Sequence, residues 1–303
     1  MSLPTAVKIV EVAPRDGLQN ESAFVPTDVK IELVNRLSQA GFQNIESASF
    51  VSPKWVPQMA DGADVMAGIA RRPGTIYSAL TPNLRGFEAA QAAKVDEVAI
   101  FGSASEAFCQ RNINCSIEES IARFEPVAQA AKVAGLRLRG SISCAFHCPY
   151  QGEVSVESTV NVARRMLALG CVEIDICDTI GAASATQVGR VMRAVAEHVD
   201  PAMLSGHFHD TYGQGVANVL AALQAGISII HASTAGLGGC PYAKGATGNV
   251  ATEDVLYLLH GMGIETGIDL DSVVDTGQWI SSHLGRKASS NAGNALAARK
   301  QLA

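Results

Sequence analysis

Two of the chain's seven histidines stand two residues apart in the stretch GHFHDTYGQG, Gly206 to Gly215. Along an extended segment alternate side chains share a side, so His207 and His209 point the same way. Such a pair either ligates a metal ion or forms a hydrogen-bonded structural pair, and the remaining ligands must come from elsewhere. Asp16, in PRDGLQNE, offers a carboxylate, and Asn249, after the glycine-rich GLGGCPYAKGATGN, offers an amide oxygen. Two imidazoles, a carboxylate and an amide, with no thiolate required, suit magnesium or manganese better than zinc. With those two residues added, metal ligation becomes the leading reading.

Other reactive groups fall close by in the pattern. Arg15 faces away from Asp16 unless the strand end turns; it can stabilise a developing oxyanion or pair with Glu46 or Asp178. Glu46, inside the otherwise apolar IESAS, is costly unless paired, so it is either Arg15's partner or a functional acid. Cys240 sits on a loop freed by Gly236, Gly238 and Gly239. It can close over a substrate as an acid or base, or it can simply occupy the turn. The run CAFHC, Cys144 to Cys148, has CxxxC spacing and reads as core and loop rather than as a metal or redox pair. No lysine lies in the C-terminal half of a candidate strand, which excludes Schiff-base aldol chemistry. Carbon–carbon chemistry would have to be metal-assisted.

The elements that must hold these groups follow a regular rhythm. Candidate strands are KIVEVAP from Lys8, QNIESAS from Gln43, TIYSAL from Thr75, EVAIFGS from Glu97, RLRGSISC from Arg137, VEIDIC from Val172, MLSGHFH from Met203 and ISIIHAS from Ile227. Helical patterns separate them. In TDVKIELVNRLSQAG, Thr27 or Asp28 can cap and Gly41 can terminate, and Ser116 with Glu119 makes a capping box. Eight strands alternating with helices predict a (β/α)8 TIM barrel over the whole chain, 1–303, as one domain. A doubly wound sheet is weakened because the first strand lacks a dinucleotide glycine pattern. In a barrel, functional residues gather at the C-terminal strand ends, where Arg15, Asp16, Gln19, Glu21, Glu46, Asp178, His207 and His209 fall. First and eighth strands close the barrel, so Asp16 comes near the seventh. The tail from Arg286, RKASSNAGNALAARKQLA, reads as a loosely held extension.

Composition bounds the function. Hydrophobic residues make up 48% and charged residues 17%, which describes a well-buried globular body. A net charge of −6 without a Lys/Arg cluster argues against nucleic-acid or anionic-membrane partners. No apolar run reaches the roughly 18 residues of a membrane span, and the N-terminus shows no leader pattern. Seven cysteines, several in apolar runs, predict free thiols in a reducing, cytoplasmic setting.

RDGLQNE, SFVSPKWVPQM, NINCSIEES, DTIG, HDTYGQ and GLGGCPYAKGATGNVATED, in that order from about Lys8 to about Gly267, resemble the 3-hydroxy-3-methylglutaryl-CoA lyases. The likeness extends to a wider barrel superfamily of metal-dependent acyl lyases, condensing synthases and carboxyltransferases. It implies a (β/α)8 barrel holding a divalent cation, magnesium or manganese, on Asp16, His207, His209 and Asn249. It also implies Arg15 at the enolate, Cys240 in proton transfer, and Glu46 and Asp178 as further active-site acids. The reaction it implies is cleavage of 3-hydroxy-3-methylglutaryl-CoA to acetyl-CoA and acetoacetate, in a homodimer. Asp178 and His207 are the candidate bases. Arg15, Gln19 and Asn112 are the candidate substrate contacts, with Lys54 a further candidate for the nucleotide end of the acyl-CoA. Three positions depart from the pattern: His231 stands where relatives usually carry aspartate, His147 where they usually carry glycine, and Cys177 where glycine is common. All three are expected near the mouth, where His231 could reshape the acyl pocket and His147 could instead face solvent. A different 3-hydroxy-acyl-CoA is therefore the alternative substrate. A condensing synthase is disfavoured because little chain remains beyond Gly267.

Overall fold

The structure, a computed structural model, describes residues 3–239, 248–300 and 302. Its barrel strands are β1 (Lys8–Glu11), β2 (Asn44–Ser49), β3 (Ile76–Leu80), β4 (Glu97–Ser103), β5 (Arg137–Ser143), β8 (Glu173–Asp178), β9 (Leu204–Phe208) and β10 (Ile229–Ala232). Each of the eight candidate segments carries one of them. A short antiparallel hairpin, β6 (His147–Cys148) with β7 (Gly152–Glu153), interrupts the connection from β5 to β8. All barrel neighbours pair in parallel, in the closed order β1-β10-β9-β8-β5-β4-β3-β2. This is a TIM barrel, and β1 meets β10 with β9 next to it, as Asp16 requires.

Alternation sorts the side chains of each strand to two environments. On β8, Ile174 and Ile176 are fully buried in the apolar layer beneath the helices. Glu173, Asp175 and Cys177 lie in register with Arg139, Ser141 and His207 on the neighbouring strands, facing the interior. The outer layer is a continuous hydrophobic core; the inner one is mainly polar.

Helix starts follow local chemistry in part. Ser116 and Glu119 form the expected capping box on the helix Ile117–Ala134. The helix Thr27–Gln39 begins differently, because Pro26 occupies the N-cap and Thr27 Oγ1 donates to Asp61 at 2.8 Å instead of capping. Gly41 does follow its end, at a φ of 105° that side chains disfavour. The tail also differs from expectation. Residues Asn291–Lys300 form a helix whose first amides are held by Asp254, with Ala292 N donating at 2.6 Å. Ser290 is fully buried, so this extension is docked rather than loose. Among the described residues, no helix is long and apolar enough to cross a membrane.

Candidate active site

The chain leaves β1 through a π-helical turn, Ala13–Gly17, and this turn brings two successive side chains into one place. Extended backbone would have sent Arg15 and Asp16 to opposite sides. Instead Arg15 Nη1 donates to Asp16 Oδ1 at 2.7 Å, while Arg15 Nε donates to Glu46 on β2. Arg139 on β5 donates to the second oxygen of Glu46, so that carboxylate is held between two guanidiniums. Burial alone would raise the Glu46 pKa, but the two arginines outweigh it and hold the carboxyl below its usual range.

Asn249 arrives from the far end of the chain. Val250 N donates to Phe208 O at 2.9 Å and Ser233 N to Val250 O at 3.1 Å, so this segment lies across the ends of β9 and β10. The approach needs Gly248, where a Cβ would stand 2.6 Å from the carbonyl oxygen of Gly238. Asn249 Nδ2 then donates to Asp16 Oδ2 at 2.8 Å, and its Oδ1 lies 2.7 Å from His207 Nε2.

His207 and His209 point the same way, with ring centroids 5.6 Å apart. Ligand atoms of Asp16, His207 and His209 all lie within 4.8 Å of one another. Burial would raise Asp16, yet the Arg15 guanidinium and both imidazoles hold it well below the usual carboxylate range. Burial and the neighbouring His207 push His209 down to about 4, which leaves its ring neutral at pH 7. Its buried Nδ1 has no hydrogen-bond partner among the described residues. An ionised carboxylate, a neutral imidazole with an orphaned nitrogen, a second imidazole and an amide oxygen make a donor set that fits a divalent cation.

Other sequence candidates are placed elsewhere. Asp178 turns its carboxylate to the loop after β8, accepting from Ala182 N at 3.1 Å and Ala183 N at 3.0 Å. Burial pushes its pKa up to about 6, and it is not among the residues whose ligand atoms lie within 4.8 Å of one another. Gln19 is half-buried just past the π-helical turn, and Asn112 is exposed on the helix Glu106–Ile113 after β4; neither belongs to the cluster. Cys240 lies outside the described residues. Glu21 accepts from Arg286 at 2.6 Å, tying the first loop to the tail.

Of the three departures, His231 is the one that differs from expectation. His231 is 1% exposed and sits inside the barrel below His207, with Nε2 3.0 Å from Glu173 Oε1. It is too deep to line a mouth pocket. Cys177 is buried with its thiol 3.3 Å from Asp175 Oδ2. His147 is half-buried on the hairpin, its Nε2 3.0 Å from Gln187 Nε2.

Two interior residues escaped the sequence reading. Asp175 Oδ2 lies 3.4 Å from His207 Nδ1. Arg139, 1% exposed, holds Glu46. The alternation of polar and apolar residues in VEIDIC and RLRGSIS, applied as it was to the two histidines, would have turned both inward.

Comparison with known proteins points one way. A family model described as HMGL-like matches residues 6–280. The chain is 56% identical over 299 residues to a Pseudomonas aeruginosa protein named 3-hydroxy-3-isohexenylglutaryl-CoA/hydroxy-methylglutaryl-CoA lyase, covering 99% of this chain and 100% of that one. It is 55% identical over 293 residues to a Danio rerio protein named 3-hydroxy-3-methylglutaryl-CoA lyase, cytoplasmic, covering 97% and 88%. A crystal structure of hydroxymethylglutaryl-CoA lyase from Pseudomonas aeruginosa superposes with a TM-score of 0.97 at 56% identity, covering 99% of this chain and 100% of that chain.

Proposed function

The chain belongs to the HMGL-like family, and from that premise we propose that it is a divalent-cation-dependent lyase that cleaves 3-hydroxy-3-methylglutaryl-CoA to acetyl-CoA and acetoacetate. The observation that carries the reading is the convergence of Asp16, His207, His209 and Asn249 beside Arg15, within a few ångströms of one another. Asp16, His209 and Asn249 would hold the ion, and His207 would either join them as a ligand or act as the base. When bound, magnesium or manganese supplies a Lewis acid that polarises the substrate's hydroxyl and carboxylate oxygens.

The chain's own groups do the rest. Loss of the tertiary hydroxyl proton lets the C2–C3 bond break, with C3 becoming the ketone of acetoacetate and the electron pair passing to the thioester as an enolate. Arg15, fixed by Glu46 and Asp16, presents a permanent cation to that oxygen without reorganising. Cys240 returns a proton to C2, giving acetyl-CoA. Asp178 is occupied by backbone amides, which leaves His207 as the base candidate facing the cluster. Its Nδ1 lies 3.4 Å from Asp175 Oδ2 and its Nε2 faces the cluster, so Nε2 serves either as a ligand or as the proton acceptor, not both at once. His207→Gln separates these roles: a ligand's loss abolishes ion binding, a base's loss abolishes turnover alone.

A homodimer in the cytoplasm completes the reading; the buried thiols of Cys109, Cys115, Cys148, Cys171 and Cys177, none of them in a disulfide, support a reducing compartment. A longer branched acyl group is the second reading, favoured by the likeness to the two-substrate Pseudomonas aeruginosa relative over its full length. The deciding experiment is acetyl-CoA release from both 3-hydroxy-3-methylglutaryl-CoA and the isohexenyl substrate, with magnesium or manganese and then with EDTA. Chelator-sensitive release from the methylglutaryl thioester is expected. Release from the isohexenyl substrate alone would replace the first reading by the second, and release from neither would remove both.

A further inference from the structure

One carboxylate in the barrel interior is used neither by the ligand group nor by the arginine beside it. Asp175 is 1% exposed and sits one layer below the cluster on β8, in register with Ser205 on β9. Ser141 Oγ donates to its Oδ2 at 3.2 Å, and the Cys177 thiol lies 3.3 Å from the same oxygen. Ser205 Oγ donates to Oδ1 at 3.5 Å. The carboxylate is therefore held on several sides by short side chains from three strands. Its Oδ2 faces Nδ1 of His207 at 3.4 Å, and on the other side Nδ1 of His231 at 3.3 Å.

We propose that Asp175 is the positioning residue of His207: it accepts from the Nδ1–H and so keeps Nε2 directed at Asp16, His209 and Asn249. This inference rests on the reading of that group as an ion site. An imidazole presents two unlike nitrogens, and the partner of one decides what the other can do. Here the far nitrogen, Nε2, lies 2.7 Å from Asn249 Oδ1 and 3.7 Å from Asp16 Oδ2. With Nδ1 bound from below, the ring can neither flip nor change tautomer without giving up that partner. The His231 ring, with its centroid 5.5 Å from that of His207, fills the space beneath.

Asp175, His207 and His231 also bring ligand atoms within 4.8 Å of one another, the spacing a second ion would need. Arg139 argues against it. Its Nη1 lies 3.3 Å from His231 Nδ1, so a fixed cation already stands where a divalent ion would have to bind. The lower group is a support, and the upper group is the site.

The test uses the whole chain labelled with ¹⁵N-histidine. Long-range ¹H–¹⁵N spectra should show the proton of His207 on Nδ1 when the ion is bound, with manganese or magnesium titration perturbing Nε2. Calorimetry should find one ion per chain, bound about 10- to 100-fold more weakly by Asp175→Asn, with partial recovery in Asp175→Glu. At saturating ion, kcat should fall while KM for the acyl-CoA stays unchanged. A bare Nδ1 in the ion-loaded protein, undiminished ion affinity in Asp175→Asn, or two ions per chain would overturn the proposal. Should Asp175→Asn fail to fold, the spectrum of the unaltered protein still decides. Ion binding and the ring spectrum need no substrate, so failure of methylglutaryl cleavage would remove the substrate reading and leave this inference standing.

Discussion

The two faces of the same barrel strands follow opposite rules. Outward residues such as Ile174, Ile176, Leu138 and Phe208 are buried against helices in a single apolar core. Inward residues of the same strands, Arg139, Glu173, Asp175, His207 and His231, are equally buried but polar. Two glutamates sharpen the contrast. Glu46 inside is held below its usual range because Arg15 and Arg139 outweigh its burial. Glu253, on the helix Thr252–Gly261 outside the barrel, is pushed up to about 8 by burial, with backbone amides of Glu253 itself and Ala235 donating to it, no guanidinium paired with it among the described residues, and Glu11 nearby adding like charge. Apolar burial stabilises a fold without direction, whereas compensated charge holds particular atoms in particular places. The outer layer therefore maintains the barrel and the inner layer aims the chemistry.

The largest effects are expected where the inner layer ends. Asp16→Ala and His209→Ala should each lose the ion and reduce turnover to background while the circular dichroism spectrum stays native. An active variant without bound ion would break the assignment of the inner layer. Arg15→Ala should retain the ion yet lose about 10²- to 10³-fold in kcat, the scale of one removed oxyanion donor. Cys240→Ala should behave similarly, keeping the ion and losing most turnover; unchanged kcat would take it out of the mechanism.

On the outer face the opposite separation is expected. Ile174→Ala removes part of a fully buried side chain and should cost about 2–5 kcal/mol in denaturant unfolding, with ion affinity unaltered. A comparable loss of ion binding would show that the two faces are not separable.

The smallest effect concerns pH. A neutral Glu253 favours the folded state, because the unfolded carboxyl titrates near 4.5 and the folded one near 8. That contribution is complete below about pH 4.5, declines as pH rises, and is gone above about 8. From pH 5 to 8 the unaltered protein should therefore lose stability relative to Glu253→Gln, measured by denaturant midpoints. A difference that stays constant with pH would mean that Glu253 is ionised throughout, like Glu46.

The sequence alone determined the strand rhythm, the shared side of His207 and His209, the Ser116 capping box and the donor types at the site. These are local properties, set by alternation and capping over a few residues. Tertiary structure decided the rest. The π-helical turn at Ala13–Gly17 put Arg15 and Asp16 together, closure of the barrel set Asp175 beside His207, and the amides of the loop after β8 took the Asp178 carboxylate. Burial of Ser290 and the amides held by Asp254 docked the tail. The physical reason is separation along the chain. Asn249 meets Asp16 across 233 residues, and only closure of β1 onto β10 brings such partners within reach; alternation groups the side chains of one strand but does not record which distant residues closure will set against them.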